Sequence, residues 1–236
     1  IMHKVKKSLG QNFLKSKAIV NRIIETAKVT SKDHVIEIGP GLGILTKELA
    51  KHAKKTTAIE IDKDLIPTLE DNPALAKVEI INADALLFKA PKAIKYKVVA
   101  NIPYYITSPL ITAFLTQENP PTSMTILVQK EVAEKIITDP PESILALQTQ
   151  LYAKPKLAFG VPAKHFNPKP KVDSAVIHLE TLGESARPKN PTKILELAKQ
   201  AFSQKRKKLS NTLKDHKEAL TKFKLIDKRP QHLTLK

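Results

Sequence analysis

The stretch Val35–Gly43, which reads VIEIGPGLG, indicates the fold of this chain more directly than any other. It passes from a short β-branched run into three glycines at alternate positions, and a helical pattern from Ile44 to about His52 follows. The glycines allow the backbone to approach a ligand closely, and the N-terminus of the helix adds free amide donors. Strand, glycine turn and helix in this order predict the first βα unit of a nucleotide-binding domain.

The same alternation of strand and helix continues through the centre of the chain. Apolar and β-branched runs predict strands at Thr57–Ile61, Val78–Asn82, Tyr96–Ala100 and Met124–Gln129. Helical patterns begin at Asp64 and cover about 109–117, 131–138 and 143–153. Residues 156–161 and 174–180 are interpreted as late strands that form a hairpin at the sheet edge. This alternation favours an α/β fold with a mainly parallel sheet and helices on both faces.

Asn101–Tyr104 (NIPY) follows the predicted strand Tyr96–Ala100 and is the second stretch around which the chain is organised. Ser108 can cap a helix and Pro109 suits the first helical position, so a helix is expected to begin there. An amide, a ring-locked carbonyl and an aromatic ring are therefore expected on a short loop after a strand. In open parallel sheets ligands bind outside the carboxyl ends of strands, which makes this loop a candidate site. A proline after a strand also marks an ordinary turn, so Pro103 alone is weak evidence.

Three acids lie at the ends of predicted strands, namely Glu37, Glu60 and Asp84. Glu60 can hold a ribose, and Asp84 can accept a hydrogen bond from an adenine amino group. Glu37, beside the glycine turn, suits a ligand with an ammonium group and no phosphates. The G-x-G-x-G spacing also differs from the G-x-G-x-x-G turn that accommodates a pyrophosphate. These features favour S-adenosylmethionine over a dinucleotide, although the glycines alone would fit either.

The NIPY stretch fits the methylation of an aromatic amine such as adenine N6. That nitrogen is a weak nucleophile because its lone pair is delocalised, and two acceptors aimed at its hydrogens would favour a pyramidal nitrogen. The side-chain oxygen of Asn101 and the backbone carbonyl of Ile102 or Pro103 are candidates for those acceptors. Tyr104 would stack on the base, and catalysis would consist mainly of positioning and electrostatic preorganisation. A base must leave its stack to reach such a site, which costs least in an unpaired loop.

Phe166 is the candidate for a second ring on the other face of the base. It lies in the proline-stiffened basic loop His165–Lys171 between two predicted strands. A buried aromatic anchor would be unremarkable at that position, so packing of Phe166 in the core is the alternative interpretation.

The formal net charge of +17 is concentrated at the two ends of the chain. Residues 1–34 carry a net charge of +6 and residues 184–236 carry +10, whereas the 149 residues between them carry only +1. A lysine-rich surface that merely keeps the protein soluble would spread this charge evenly. A polyanion bound across a neutral pocket is therefore the preferred interpretation.

Composition narrows the classes of protein that remain. The 236 residues suffice for one mid-sized domain with an appendage, and they include no cysteine. Disulfides, thiolate catalysis and thiolate metal sites are thereby excluded, and we predict no metal site. No apolar run approaches a membrane span and the N-terminus lacks an apolar signal core, so we expect no membrane association and a cytoplasmic location.

The two ends of the chain have different expected structures. Residues 4–15 are predicted to form an arm and not a helix or strand. Ser16 can cap a helix from Lys17 to about Lys28. The breaker-rich stretch Gly183–Pro191 marks the boundary between a catalytic domain, residues 1–183, and a small basic helical domain, residues 184–236. One helix face of the second domain is formed by Ile194, Leu197, Ala198, Ala201 and Phe202. RNA binding is predicted for the basic helix residues that follow, Lys205, Arg206, Lys207 and Lys208.

The motifs of the chain resemble those of ribosomal RNA adenine N6,N6-dimethyltransferases, most closely the small-subunit (16S) branch of that family. The matching stretches are GQNFL (10–14), EIGPGLG (37–43), AIEID (58–62), ADAL (83–86), NIPYYITSPL (101–110), QKEVAEKI (129–136), FNPKPKVDSAVI (166–177) and AFSQKRKKLSNTL (201–213). They span nearly the whole chain in the order of the family. NIPY and PKVDSAV are specific motifs, whereas the glycine turn alone is not.

The resemblance implies a Rossmann-like methyltransferase fold with a small all-α C-terminal domain, and S-adenosyl-L-methionine as cofactor. The implied cofactor-binding residues are Gln11, Asn12, Leu14, Gly39, Gly41, Glu60, Asp84, Ala85 and Asn101. The implied catalytic residues are Asn101, Pro103, Tyr104 and Phe166, with the two rings on either face of the target adenine. The implied substrate is a pair of adjacent adenosines in the last hairpin loop of small-subunit rRNA, each methylated twice during ribosome assembly. We expect the enzyme to act as a monomer on the pre-assembled small subunit.

Two stretches depart from the family pattern. Asp139–Ile144 (DPPESI) stands where the family usually carries a glycine and a basic residue. The chain stops where the family would begin a final helix, so the C-terminal domain is expected to be short or truncated. Three alternatives stay open: a large-subunit rRNA adenine methyltransferase, a non-catalytic nucleic-acid-binding assembly or transcription factor, and a nicotinamide-dependent oxidoreductase.

Overall fold

The computed structural model describes residues 5–6, 9–204 and 206–230. Its strands are β1 (Phe13–Leu14), β2 (His34–Ile38), β3 (Lys55–Glu60), β4 (Glu79–Asn82), β5 (Tyr96–Asn101), β6 (Ser123–Gln129), β7 (Ala153–Val161), β8 (Phe166–Asn167) and β9 (Ser174–Thr181). Its helices are α1 (Lys17–Ala27), α2 (Ile44–His52), α3 (Ile66–Glu70), α4 (Thr107–Thr116), α5 (Lys130–Ile137), α6 (Ile144–Tyr152), α7 (Pro191–Phe202), α8 (Leu209–Thr212) and α9 (Lys217–Lys222). Within those described ranges no helix has the length and apolar character needed to cross a bilayer.

Seven strands form one sheet in the order β4-β3-β2-β5-β6-β9-β7. The pairs from β4 to β6 are all parallel, while β9 runs antiparallel to β6. This arrangement confirms the predicted α/β class with a mainly parallel sheet and an antiparallel edge. The chain proceeds from β2 outward to β4 and then restarts at β5 on the other side of β2. The switch point of the sheet therefore lies between β2 and β5, where open parallel sheets bind their ligands.

Helix α1 shows how the sequence pattern produces the core of this sheet domain. It begins as predicted, because Ser16 Oγ accepts a hydrogen bond from the Ile19 amide at 3.4 Å. Its buried face comprises the predicted residues Ile19, Val20, Ile23, Ile24 and Ala27. They join one core cluster with strand residues that include Val35, Val99, Leu127 and Val176. Full burial of an aliphatic side chain of this size contributes roughly 1.5–3 kcal/mol.

The start of α4 differs from the prediction. The helix begins at Thr107 rather than Pro109, no side chain caps it, and a 3₁₀ turn over Tyr104–Ile106 precedes it. The Ile106 amide closes that turn by donating to the Pro103 carbonyl at 3.2 Å. Pro103 has a φ of −56°, the value that its ring fixes, so the NIPY stretch itself leads into the helix.

Contacts between residues divide the described chain into two compact units. The first contains the residues up to Ala133 together with Lys156–Thr181, and the second contains Glu134–Pro155 and the residues from Leu182 onward. The sequence predicts a single boundary at residue 183, whereas α6 packs against α7 and belongs to the second unit. Part of the unusual DPPESI stretch has a local role here, since Ser143 Oγ caps α6 by accepting from the Ala146 amide at 3.1 Å.

The second unit is helical, but its basic run does not lie in a helix. The buried residues of α7 are Leu195, Ala198 and Ala201, while the predicted face residues Ile194, Leu197 and Phe202 are only partly buried. Helix α7 ends at Phe202, Arg206 and Lys207 lie in the following turn, and Lys208 is the N-cap residue of α8. The prediction of a basic helix is therefore wrong for these residues, and Lys205 lies outside the described part of the chain.

Candidate active site

A cavity of about 210 Å³ lies in the first unit at the carboxyl ends of β2, β3 and β5. Its lining includes all the residues implied to bind the cofactor: Gln11, Asn12, Leu14, Gly39, Gly41, Glu60, Asp84, Ala85 and Asn101. Pro103 and Tyr104 line the same cavity. The glycine turn and the NIPY stretch, which are far apart in the sequence, therefore border one space.

The glycine turn between β2 and α2 depends on the absence of a side chain at Gly41. Its φ of +58° lies in the left-handed region, which L residues rarely adopt and which glycine adopts readily because it has no Cβ. A Cβ at this position would lie 2.9 Å from Cδ1 of Phe13. The N-terminal arm can therefore pack directly on the bare backbone of the turn.

Glu60, the last residue of β3, holds this turn in place. Its Oε2 accepts a hydrogen bond from the Gly41 amide at 3.1 Å, and its Oε1 accepts from the Asp62 amide at 2.9 Å. Burial raises the pKa of Glu60, while the two amide hydrogen bonds oppose that shift. Both oxygens are thus oriented before any ligand binds, which reduces the cost of organising the site.

Glu37 is 1% exposed and lines the cavity, yet its Oε2 has no hydrogen-bond partner among the described residues. Burial raises the pKa of Glu37 to about 8, with the nearby Thr46 hydroxyl opposing the shift and the charge of Glu60 adding to it. A buried polar atom without a partner costs free energy unless a ligand completes it. A cationic group with N–H donors fits this oxygen best, because charge-assisted hydrogen bonds are the strong ones.

Asp84 supplies the third predicted acid, in the turn that follows β4. Its Oδ1 accepts a hydrogen bond from the Leu86 amide at 2.9 Å, which fixes the carboxylate where it borders the cavity. Glu37, Glu60 and Asp84 thus all line one cavity, as their positions at strand ends predict. The three acids give the cavity the acceptors that a cationic nucleoside requires.

The N-terminal arm forms part of the cavity wall and is tied to the end of β3. Gln11 Nε2 donates to Asp62 Oδ2 at 2.7 Å, and Gln11 Oε1 accepts from the Lys6 amide at 2.7 Å. Lys6 Nζ also pairs with Asp62. Burial alone would raise the pKa of Asp62, but the hydrogen bonds from Lys6 and Gln11 hold it below its ordinary value. The Gln11 amide therefore ties the arm to the end of β3 through Nε2 and links two parts of the arm through Oε1.

Asn101, at the end of β5, connects the NIPY stretch to the arm. Its Nδ2 donates to the Asn12 carbonyl at 3.3 Å, and no described residue donates to its side-chain oxygen. Tyr104 is half-buried, and its hydroxyl lies 2.6 Å from Ser174 Oγ. Burial raises the pKa of Tyr104, so the phenol is neutral at physiological pH. The cavity therefore offers one free amide oxygen beside an anchored neutral ring.

Phe166 is not among the residues that line the cavity. It is 2% exposed, belongs to the core cluster, and lies opposite Leu14 where β8 pairs with β1. Side chains alternate along a strand, so burial of Phe166 leaves the neighbouring Asn167 exposed. The structure thus corresponds to core packing, the alternative interpretation of this residue.

Asp62 and Ser174 form hydrogen bonds with Gln11 and Tyr104 of the cavity, although the sequence pattern alone assigns neither of them a role. Both lie inside motifs of the resemblance, AIEID and PKVDSAV, which was the available signal. Their partners are 51 and 70 residues away along the chain, so only the fold identifies the contacts. Of the predicted RNA-binding residues, Arg206, Lys207 and Lys208 are exposed, and Lys208 Nζ pairs with Asp227 at 2.7 Å.

Comparison with known proteins places these features in context. The chain matches the family model "Ribosomal RNA adenine dimethylase" over residues 2–231. It is 42% identical over 223 residues to the ribosomal RNA small subunit methyltransferase A of Listeria monocytogenes, which covers 88% of this chain and 75% of that protein. It is 41% identical over 220 residues to the protein of the same name from Clostridium botulinum, with coverage of 89% and 80%.

Two solved structures align with most of this chain. A dimethyladenosine transferase from Plasmodium falciparum superposes with a TM-score of 0.83 at 29% identity, covering 94% of this chain and 93% of that one. The 23S rRNA methyltransferase ErmE superposes with a TM-score of 0.74 at 28% identity, covering 93% and 96%. Both likenesses extend over nearly the full described chain.

Proposed function

The chain belongs to the ribosomal RNA adenine dimethylase family of S-adenosylmethionine-dependent enzymes, and we propose that it dimethylates N6 of two adjacent adenosines in small-subunit rRNA. The proposed target is the 3'-terminal hairpin loop, modified while the small subunit assembles. The observation that carries this proposal is the shared cavity, which is lined both by the glycine turn with its acids and by Asn101, Pro103 and Tyr104.

The choice of the small subunit over the large one rests on sequence identity. The two small-subunit relatives described above are 41–42% identical to this chain, whereas the 23S methyltransferase ErmE is 28% identical. The two kinds of enzyme share the fold, so the fold alone does not separate them. The small-subunit assignment is therefore the better supported of the two.

For the cofactor, we assign the part of the cavity between the glycine turn and the arm. The assigned residues are Gln11, Asn12, Leu14, Gly39, Gly41, Glu60, Asp84, Ala85 and Asn101. The unpartnered oxygen of Glu37 fits the ammonium group of the amino acid moiety. S-adenosylmethionine supplies a methyl group on a sulfonium that is already electrophilic.

Asn101 is the proposed catalytic acceptor. Its amide nitrogen is engaged by the Asn12 carbonyl, so the side-chain oxygen remains for the amino group of the target base. A second acceptor, the carbonyl of Ile102 or Pro103, would hold the other amino hydrogen and favour a pyramidal nitrogen. No strong base is required, because the nitrogen loses its proton readily once it is alkylated. Positioning and preorganised acceptors then provide the rate enhancement.

Tyr104 is the proposed stacking platform for the flipped base. Stacking of a base on an aromatic side chain is worth ~1–3 kcal/mol, which is sufficient to retain a base that is already unpaired. Phe166 is buried against Leu14, so we propose that it holds β1 and the arm in place instead of contacting the base. We further propose that the enzyme acts as a monomer in the cytoplasm, where its substrate is assembled.

A direct assay tests this function. Unmethylated small ribosomal subunits, incubated with the protein and labelled S-adenosylmethionine, are expected to yield N6,N6-dimethyladenosine in the terminal hairpin. Asn101→Ala is expected to abolish the product while the fold, followed by thermal unfolding, is retained. Product in large-subunit RNA instead would support the alternative substrate, and absence of product from either subunit would contradict the proposal.

A further inference from the structure

We propose that a basic ribbon beside the cavity holds the phosphates of the RNA strand that carries the target adenosine. The basic ribbon comprises residues 13–15 of the arm and 164–171 of the loop opposite. Its two sides pair as Phe13 with Asn167 and Leu14 with Phe166, and the Lys15 amide donates to the His165 carbonyl at 2.9 Å. Phe13 and Leu14 also line the cavity, so the ribbon borders the proposed base site.

The charge of the basic ribbon is exposed, and no carboxylate among the described residues pairs with it. Its exposed lysines are Lys15, Lys164, Lys169 and Lys171. None of these four forms an ion pair with a carboxylate within the described residues. Asp173, which follows in sequence, instead accepts a hydrogen bond from the Ala163 amide at 2.9 Å. A flipped base remains attached to its backbone, so the phosphates on either side of it must lie near the mouth of the cavity.

The ribbon is also held rigidly enough to present these charges at fixed positions. Leu14 is 5% exposed and Phe166 is 2% exposed, and both are buried in the core cluster on the inner side of the ribbon. Sites supported by packed side chains retain their geometry better than sites on free loops. This gives the FNPKPK segment, whose phenylalanine does not reach the cavity, a part in substrate binding.

The test replaces Lys15, Lys164, Lys169 and Lys171 together with glutamine. The matched control replaces Lys32, Lys54, Lys77 and Lys95, which are also exposed but precede β2, β3, β4 and β5 at the opposite, amino edge of the parallel strands. Affinity for unmethylated small ribosomal subunits is measured over a range of salt concentrations. In the ribbon variant, the slope of log affinity against log salt concentration is expected to decrease in magnitude by about 0.7 for each single-strand phosphate contact removed. Loss of four contacts would decrease it by about 3 in total. The control is expected to keep the wild-type slope.

The proposal that the basic ribbon binds phosphates rests on the proposed function. Methylation of the same subunits by the wild-type protein is therefore measured in parallel. Binding without dimethylated product would refute the proposed function and leave the ribbon result interpretable. Equal slopes for the ribbon and control variants, or no binding by the wild-type protein, would overturn the basic ribbon as a phosphate site.

A separate contact assigns a role to the PKVDSAV motif: we infer that Ser174 is a positioning residue for Tyr104. Ser174 is fully buried at the start of β9, opposite Gln129 of β6, and its Oγ lies 2.6 Å from the Tyr104 hydroxyl. The preceding Asp173 is fixed as well, since its carbonyl accepts from the Lys130 amide at 3.0 Å. A rigid strand thus holds the far end of the ring, and the plane on which a base would stack is set.

A double-mutant cycle tests this second inference, which also rests on the proposed role of Tyr104. Ser174→Ala and Tyr104→Phe are each expected to lower kcat by about 2- to 10-fold, the effect of one neutral hydrogen bond, with KM for S-adenosylmethionine unchanged. The double variant is expected to be no slower than either single one, and Ser174→Thr is expected to restore activity because it keeps the hydroxyl. Multiplying effects in the double variant, or an equal loss in Ser174→Thr, would overturn the inference. If Tyr104→Ala retained full activity, the proposed stacking role would fail instead.

Discussion

The carboxyl group of Glu37 lies buried beside the glycine turn, and its pKa of about 8 leaves it mostly protonated at neutral pH without a ligand. In the unfolded chain the pKa of a glutamate is about 4.3. Between these values the folded state retains a proton that the unfolded state has lost. The free energy of unfolding therefore falls as the pH rises through this window and becomes constant above it.

Glu37→Gln is expected to remove this part of the pH dependence, because glutamine has no proton to lose. At pH 8.5 the variant should melt above the wild-type protein by about 2–4 °C for each kcal/mol of penalty removed. At pH 5, where the carboxyl group is neutral in the folded wild-type protein, the two Tm values should be similar. Thermal unfolding of both ligand-free proteins at the two pH values measures this, and a difference that is independent of pH would contradict it.

The same carboxyl group predicts a proton release when S-adenosylmethionine binds. An ammonium group near the Glu37 carboxylate would favour its charged form, so its pKa should fall and up to about one proton should leave at pH 7. Titration calorimetry in two buffers of different ionisation enthalpy counts the protons. Glu37→Gln should show weaker binding and no such release. Equal proton release from the variant would assign the proton to another group.

Gly41→Ala tests the close approach of the arm to the glycine turn. The new methyl group would require a left-handed φ of +58° and would lie 2.9 Å from the Phe13 ring, so the turn or the arm must shift. A non-glycine residue in this conformation costs roughly 1–2 kcal/mol, and affinity for S-adenosylmethionine should fall with it. Gly160→Ala is the control, because a Cβ at Gly160 meets no atom within 4 Å. Thermal shift with and without the cofactor compares them, and equal behaviour would contradict the expected constraint.

Among the elements, the N-terminal arm depends on one buried acid. Asp62→Ala would remove the carboxylate that accepts from Gln11 Nε2 and would weaken the attachment of the arm to the end of β3. Hydrogen exchange of residues 9–14 should rise and affinity for S-adenosylmethionine should fall. Asp64→Ala is the matched control, since Asp64 also pairs with Lys6 but its side chain is 55% exposed. A similar loss of affinity in both variants would mean that negative charge near Lys6, and not the buried Asp62 carboxylate in particular, holds the arm.

The elements themselves follow from local patterns, and the departures from prediction have physical causes. The period of apolar residues predicts α1, α2 and the five parallel strands, because each of them buries one face or both. The start of α4 differs from the prediction because a 3₁₀ turn at Tyr104–Ile106 replaces a side-chain cap. Phe166 was ambiguous because pairing of β8 with β1 decides its direction, and partners that are distant in sequence leave no local signal.

At the scale of the whole molecule, the sequence predicts that positive charge is concentrated at the two ends of the chain. It does not predict which segments make up each of the two compact units. The breaker-rich stretch Gly183–Pro191 marks the point where the chain leaves the sheet, but it does not reveal that α6 packs against α7. Packing between elements that are about 40 residues apart depends on surfaces that exist only after folding. The candidate site was predictable for the opposite reason, since parallel strands bring their carboxyl ends together by topology alone.

The charge at the C-terminal end gives the last prediction. Replacing Arg206, Lys207 and Lys208 with glutamine should reduce the salt dependence of binding to small ribosomal subunits, because each lost phosphate contact removes a released counterion. Lys208 is already paired with Asp227, so the slope should fall by about 1.4–1.8, the share of two contacts at about 0.7–0.9 each. Replacing Lys214, Lys217 and Lys222, three exposed lysines of the same unit, is the control and should have less effect. An equal decrease in both variants would mean that diffuse charge attracts the RNA, and that the turn between α7 and α8 has no special part in holding it.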